Sequence, residues 1–390
     1  MNIKEKIAKI FTHGDRNYGL IIALLFIAVL FQILTGGVVF RPLNVTNLIL
    51  QNSYVMILAI GMLLCILTGN IDLSVGSTAA FVSAATGVMI VVNKMDPVFA
   101  IIIALAIGAV IGAWNGFWIA YVRIPAFIVT LGSMLIFRGL TLGILQGKTL
   151  GPFPPSFQII SSGFLPDPLG NGGFHVTTML IGIVSMAIYT FLAISKYRRQ
   201  KTYSTRTGGF LPFVMMLSLT NFAVLAFSYL LASYNGIPNF LILLTALILA
   251  YSFLTNRTVM GRHIYAFGGN QLAARLSGIK TNRVFFSVYV NMSILAALAG
   301  VVYAGRLNAA SPKAGTGFEL DAIASCFIGG ASASGGIGTI SGAIIGALIM
   351  GVMNNGMSIM GLGVDWQQAI KGLVLILAVA FDMLSKNKGK

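Results

Sequence analysis

The chain has nine acidic side chains in 390 residues, and three of them fall in two short, similar patterns. TGNIDLSVGS (68–77) carries Asp72, and TGFELDAIAS (316–325) carries Glu319 and Asp321. Both patterns adjoin long apolar runs. A carboxylate there does one of two things: it caps a helix by accepting from free amides, or it lines a polar path for a solute. The residue type suits both, and both readings stand for all three acids. Arg138, in LGSMLIFRGLTLG, lies deeper in an apolar run and is expected as an ion-pair or cavity residue. Each such charge costs roughly 2.5–3.5 kcal/mol at a helix centre on the insertion scale, so it needs a reason to be there. Lys371 is placed nearer the outer interface. Asn70 sits in the first break, and Asn354 and Asn355 in GVMNNGMSIM serve either as hydrogen-bond links between helices or as solute ligands.

Other chemistries fit poorly. Cys65 and Cys326 both lie inside apolar runs and read as small packing residues, neither a disulfide nor a metal site. His263 has no second His or Cys placed to share a metal. The run GGASASGGIG (329–338) lacks the Gly-Lys-Ser/Thr ending of a phosphate loop, so the chain is expected to bind no nucleotide or other cofactor itself.

The elements that position these residues follow from composition. With 57% hydrophobic and 9% charged residues, the chain lacks the polar surface of a soluble domain, which carries roughly 25% charge. Apolar runs of about 18 residues or more, each able to cross roughly 30 Å of hydrocarbon, recur throughout. The expected fold is an all-α polytopic membrane protein with about twelve spans. These are 18–36, 48–67, 74–92, 97–121, 126–146, 176–195, 211–231, 237–255, 284–304, 319–331, 338–360 and 366–384, the tenth being short and Gly-flanked. They form one transmembrane domain, 18–384, between a cytoplasmic segment 1–17 and a tail 385–390. No small-residue cleavage site follows the first run, so it is kept as a span.

The net charge of +16 belongs to topology rather than to nucleic acid. With the N-terminus inside, the inner segments, including a basic loop at 196–210, hold eighteen Lys and Arg and the outer segments five. That bias puts both termini in the cytoplasm. The two acidic patterns then begin on opposite sides of the membrane. Each is followed by Asn-Gly (Asn115-Gly116, Asn355-Gly356) and, sixteen residues after that Gly, by another, Gly132 and Gly372. This suggests an inverted repeat with interrupted helices, whose unpaired backbone groups are tolerable only beside a polar cavity. GAIIGALIMG (342–351) reads instead as close helix packing.

One inner loop differs in kind. In GRHIYAFGGNQLAARLSGIKTNRV (261–284), NQLAARLSGI reads as a short amphipathic helix with Leu272, Leu276 and Ile279 on one stripe, Asn270 as N-cap and Gly278 at the C-cap. Such a helix suits docking into another protein, or lying on lipid headgroups. This loop, together with IDLSVGS, GAWNGFWIAYVRIPAFIVTLG, SPKAGTGFELDAIA, IGGASASGGIG and NNGMSIMG, resembles the membrane permease subunit of ribose- and xylose-type ABC sugar importers over residues 45–384. The resemblance implies a homodimeric permease in the bacterial cytoplasmic membrane, fed by an extracytoplasmic sugar-binding protein and driven by a cytosolic ATPase that uses the ATP. It implies that 268–283 is the segment coupled to that ATPase, with Gly268, Gly269, Asn270, Ala274, Leu276 and Gly278 in it. It also implies that Asp72, Glu319 and Asp321 belong to interrupted helices around the solute cavity. An extra section at 196–236 is shared with xylose-type members and shifts the expected sugar from ribose to xylose, with arabinose and galactose close behind.

Three rival classes fit the residues less well. An ion-coupled secondary transporter needs a titratable acid near the midplane, and the span boundaries put every acid near a span end. A membrane enzyme needs carboxylate or metal clusters, and only Glu319 and Asp321 are paired. A channel needs a selectivity filter, for which no segment is suited.

Overall fold

The computed structural model describes residues 17–170, 172–202 and 210–387. The N-terminal segment up to residue 16, the middle of the basic loop (203–209) and the last three residues lie outside the described part. All twelve expected spans are helical. Helix α1 is Asn17–Leu34; α2 (Pro42–Gln51) and α3 (Ser53–Leu67) together make the second span, bent by 43° between them. Helix α4 (Val75–Gly87) runs on as a π-helical turn, Val88–Val92, and is followed by α5 (Pro97–Ala120) and α6 (Ala126–Leu145). A short helix on the outer side, α7 (Pro155–Ser162), was not expected. Then come α8 (Val176–Thr202), α9 (Phe210–Ala232) and α10 (Asn239–Arg257). The inner loop forms α11 (Val259–Gly269) and α12 (Gln271–Leu276). The last helices are α13 (Thr281–Leu307), α14 (Phe318–Ile328), α15 (Ile340–Ile359) and α16 (Val364–Asn387).

Nine of the described helices are long and apolar enough to cross a membrane, and ten if the bent pair is one span. Two expected spans fall short of that test: the apolar part of α1, Gly19–Leu34, and α14, which has 11 residues, about 16 Å at 1.5 Å per residue and roughly half the hydrocarbon thickness. Helix α14 is the extreme case. It is a half-helix, entered through the irregular stretch 308–317. The stretch 68–74 plays the same part before α4.

Helix α13 is the axis of the bundle. It packs on α3, α4 and, most closely, on α5. Gly108, Gly112 and Gly116 form the contact face of α5, and a Cβ at any of them would run into α13 at Ser293 and Ala297, Val290, or Phe286. Small residues every four positions let two backbones approach, which is how helices associate where lipid supplies no hydrophobic drive. The stripe 342–351 behaves as its sequence suggests: Gly342 and Gly346 of α15 face the carbonyls of Gly329 and Ser325. Cys65 and Cys326 are buried free thiols, and the Cys326 Sγ donates to the Ala59 carbonyl at 3.3 Å. Helices α8 and α9 pack mainly on each other, joined by Thr190 and Asn221, with most of their apolar surface turned outward.

Candidate functional site

The two interruptions meet inside the bundle. Gly76, at the start of α4, lies backbone to backbone against Gly315, and the Glu319 carboxylate closes over the same spot. A Cβ at Gly76 or Gly315 would overlap the other's carbonyl, so only glycine permits this crossing. Arg138 of α6 braces it from outside, its Nη1 donating to the Ala314 carbonyl at 2.6 Å. No carboxylate among the described residues lies within ion-pair distance of Arg138. Its partner is the freed backbone of a broken helix, the polar group that a membrane interior must satisfy somehow.

Asp72 is fully buried. Its Oδ1 accepts from the Ser74 amide at 2.8 Å and the Ser74 hydroxyl at 2.6 Å, forming a turn that leads into α4. From there the bonds continue: Asn115 Nδ2 donates to Ser74 Oγ at 3.0 Å, and Ser133 Oγ donates to Asn115 Oδ1 at 2.6 Å. Four side chains thus tie the first interruption to α5 and α6, while Asp72 Oδ2 is buried without a partner. The sequence suggested Asn115 only as a repeat marker; its bonding role needed the fold.

Asp321 is also buried, and it faces Lys371 of α16, whose Nζ is 2.9 Å from Oδ1 and 3.3 Å from Oδ2. This pair gives Lys371 a partner that the sequence did not suggest, and it fastens α16 to the half-helix. Glu319 and Asp321 occupy the first turn of α14, where a carboxylate is favoured by the helix dipole, although neither bonds as an N-cap. Asp72 and Asp321 are buried and Glu319 is half-buried, all three at the beginnings of their helices.

The remaining residues divide. Asn355 exchanges two hydrogen bonds with Asn44, at 2.9 and 3.0 Å, and links α15 to α2. Asn354 Oδ1 is buried with no partner. Asn70 bonds the Thr68 carbonyl and lines an inner-face cavity of about 350 Å³ with Arg123, Gln271, Arg275 and Asn282.

That cavity adjoins the inner loop. Helix α12 has the caps read from the sequence: Asn270 Oδ1 accepts from the Ala273 amide at 2.9 Å, and Gly278 is left-handed at φ +85°. Ala274 is buried, whereas Leu272 and Leu276 are 67% and 80% exposed. Gly268 is wedged against the Leu67 carbonyl, which also accepts from the Gly336 amide at 2.9 Å, and Gly269 borders Gly336. The end of α11, the end of α3 and the loop after α14 therefore share one backbone junction.

Residues 44–379 match the family described as the branched-chain amino acid transport system / permease component. The chain belongs to this permease family. The permease is 38% identical over 369 residues to the xylose transport system permease protein XylH of Escherichia coli (strain K12), covering 95% of this chain and 92% of that one. The same-named protein of Haemophilus influenzae is 38% identical over 373 residues, covering 95% and 97%. The ribose import permease protein RbsC of Escherichia coli (strain K12) is 34% identical over 339 residues, covering 87% and 85%. No solved structure matches the permease. A multi-pass membrane protein that is one component of a transport system follows from the family and the apolar helices together.

Proposed function

We propose that the chain is the translocating subunit of an ABC-type monosaccharide importer in the bacterial cytoplasmic membrane, with xylose as its first solute and arabinose, galactose or ribose as alternatives. The observation that carries this is identity of 38% to a xylose permease across 95% of the chain. The geometry supports it. An alternating-access subunit needs broken helices that meet, and a mechanical link from them to its motor. Gly76–Gly315 supplies the first, and the Gly268–Leu67–Gly336 junction supplies the second.

On this reading a cytosolic ATPase seats on the exposed Leu272–Leu276 face of α12 and consumes the ATP. A rigid-body shift of α11 and α12 pushes the junction and moves both interruptions. An extracytoplasmic binding protein delivers the sugar, and a second permease copy completes the path. The chain itself contributes no catalytic step.

The test is uptake of labelled xylose by vesicles holding this chain, its ATPase and its binding protein, with and without ATP. Uptake requiring all three and ATP is expected. Uptake by this chain alone under a pH or sodium gradient would overturn the proposal and make Asp72, Glu319 and Asp321 the first ion-coupling candidates.

A further inference from the structure

No step of the importer reading uses the inner-face cavity of about 350 Å³. Its walls come from segments far apart in the chain: the α5–α6 turn with Arg123, helix α12 with Gln271 and Arg275, and the start of α13 with Asn282. Arg123 sits in that turn at φ +66°, a left-handed conformation that a long side chain seldom adopts. Gln271 and Arg275 are four residues apart and share one stripe of α12. Leu272 and Leu276, proposed to meet the motor, form the next stripe round the helix.

Both guanidiniums lack partners. Neither makes an ion pair or a side-chain hydrogen bond among the described residues, and the surrounding sequence offers no acid. The chain has no Asp or Glu between Asp96 and Asp167, nor between Asp167 and Glu319. Those stretches supply every wall of the cavity except Asn70. Asp72, two residues from Asn70, is buried and bonded to Ser74. Membrane sidedness alone does not explain the pair. Arg257, Arg262, Lys280 and Arg283 supply positive charge on the same side without lining the cavity.

Ile119, Phe267 and Phe285 give the same cavity apolar walls, and Phe267 stacks on Phe285 at 5.0 Å. Two guanidiniums and two amides beside such walls suit a phosphate anion attached to an apolar body. A neutral sugar would leave both charges uncompensated, and a free phosphate would leave the walls unused. Basic pockets between helix ends on the cytoplasmic side bind anionic lipid headgroups through this combination. The volume is within the range of small-ligand sites, roughly 300–1,000 Å³.

We infer that Arg123 and Arg275 bind the phosphate of an acidic phospholipid headgroup, with the Gln271 and Asn282 amides donating to its oxygens and the apolar walls beside its glycerol end. The bound lipid ties the α5–α6 turn to α12 and so steadies the helix whose neighbouring stripe meets the ATPase. The inference rests on the importer reading for the side of the membrane and for the role of α12, and it adds a lipid requirement to that reading.

The test titrates the purified full-length chain in neutral detergent with phosphatidylglycerol and counts bound lipid by native mass spectrometry. Phosphatidylcholine and inorganic phosphate are the comparison probes. A single phosphatidylglycerol should be held in preference to phosphatidylcholine and should survive an equal concentration of inorganic phosphate. Arg123→Gln and Arg275→Gln should each weaken it about tenfold, the scale of a lost hydrogen bond to a charged group, while Arg257→Gln should not. Equal loss in all three variants would reduce the effect to general surface charge and overturn the inference. Displacement by inorganic phosphate would assign the site to a free anion and overturn the lipid source. Lipid retention unchanged in Arg123→Gln and Arg275→Gln, with ATPase binding weakened, would give the arginines to an acidic surface of the ATPase and also overturn it. Both arginines are exposed, so the variants should fold; should one fail to assemble, the other decides by the same comparison. In vesicles holding the complete assembly, phosphatidylglycerol added to phosphatidylcholine should raise ATP-driven xylose uptake, and Arg123→Gln should remove that gain. A wild type indifferent to the added lipid would overturn the lipid requirement. The lipid count needs no transport, so a wild-type assembly that carries no sugar would overturn the importer reading and leave the headgroup site standing.

Discussion

Asp72 is bonded through one oxygen only, and both of its bonds go to Ser74. An acceptor at that position is what the turn into α4 requires, and a charge is not. Asp72→Asn keeps a carbonyl acceptor, so uptake and thermal stability should stay near wild type. Asp72→Ala leaves the Ser74 amide and hydroxyl without their acceptor and should cost about 1–3 kcal/mol, read as a lower unfolding temperature in detergent. Loss of uptake in both variants would give the carboxylate a role beyond the turn. The Asp321–Lys371 pair answers to different physics. Lys371→Met strands a buried carboxylate, a loss of about 3–5 kcal/mol, whereas adding Asp321→Leu to it should recover most of the stability. A double variant no more stable than the single one would mean the pair is not what fastens α16. From sequence Asp72 was a cap or solute-path candidate, and the structure shows it bonding the turn into α4. Its link to Asn115 and Ser133 was not legible, because the partners lie 41 and 18 positions apart and only packing brings them together.

Among the elements, the inner junction has the least tolerance. A Cβ at Gly268 would strike the Leu67 carbonyl and the Gly336 amide, forcing apart the bond those two make, whereas nothing lies within 4 Å of a Cβ at Gly269. Gly268→Ala should therefore lower both stability and uptake, and Gly269→Ala should change neither appreciably. Equal behaviour of the two in a melting and uptake comparison would show that the junction is not tight in the working protein. Leu276→Asp addresses the motor contact. The side chain is 80% exposed, so the fold and membrane insertion should be unaffected while ATP use is uncoupled from transport. Full transport in that variant would remove α12 from the coupling. The helix was readable in advance because its caps and stripe are local features. The shortness of α14 was also visible, as the short, Gly-flanked span 319–331, and the Gly329–Gly330 turn ends the helix.

For the molecule as a whole, the family describes one component of a transport system, and on the proposed reading a separate ATPase supplies the energy. Purified free of its partners, the chain should hydrolyse no ATP above background. Robust hydrolysis by the isolated chain would contradict the assignment of energy use to a separate ATPase.

By itself the sequence determined the membrane-spanning class, the positions of the two breaks and the capped loop helix. Each of these depends on residues near one another in the chain: runs of apolar side chains, glycines, and an Asn at a helix start. Only the tertiary structure decided that the breaks touch at Gly76 and Gly315, that Arg138 serves a carbonyl, and that Asn355 pairs with Asn44 from 311 positions away. It alone brought Arg123 and Arg275 to one cavity. Such contacts join residues remote in sequence, and their partners are selected by how close glycine faces let the helices pack.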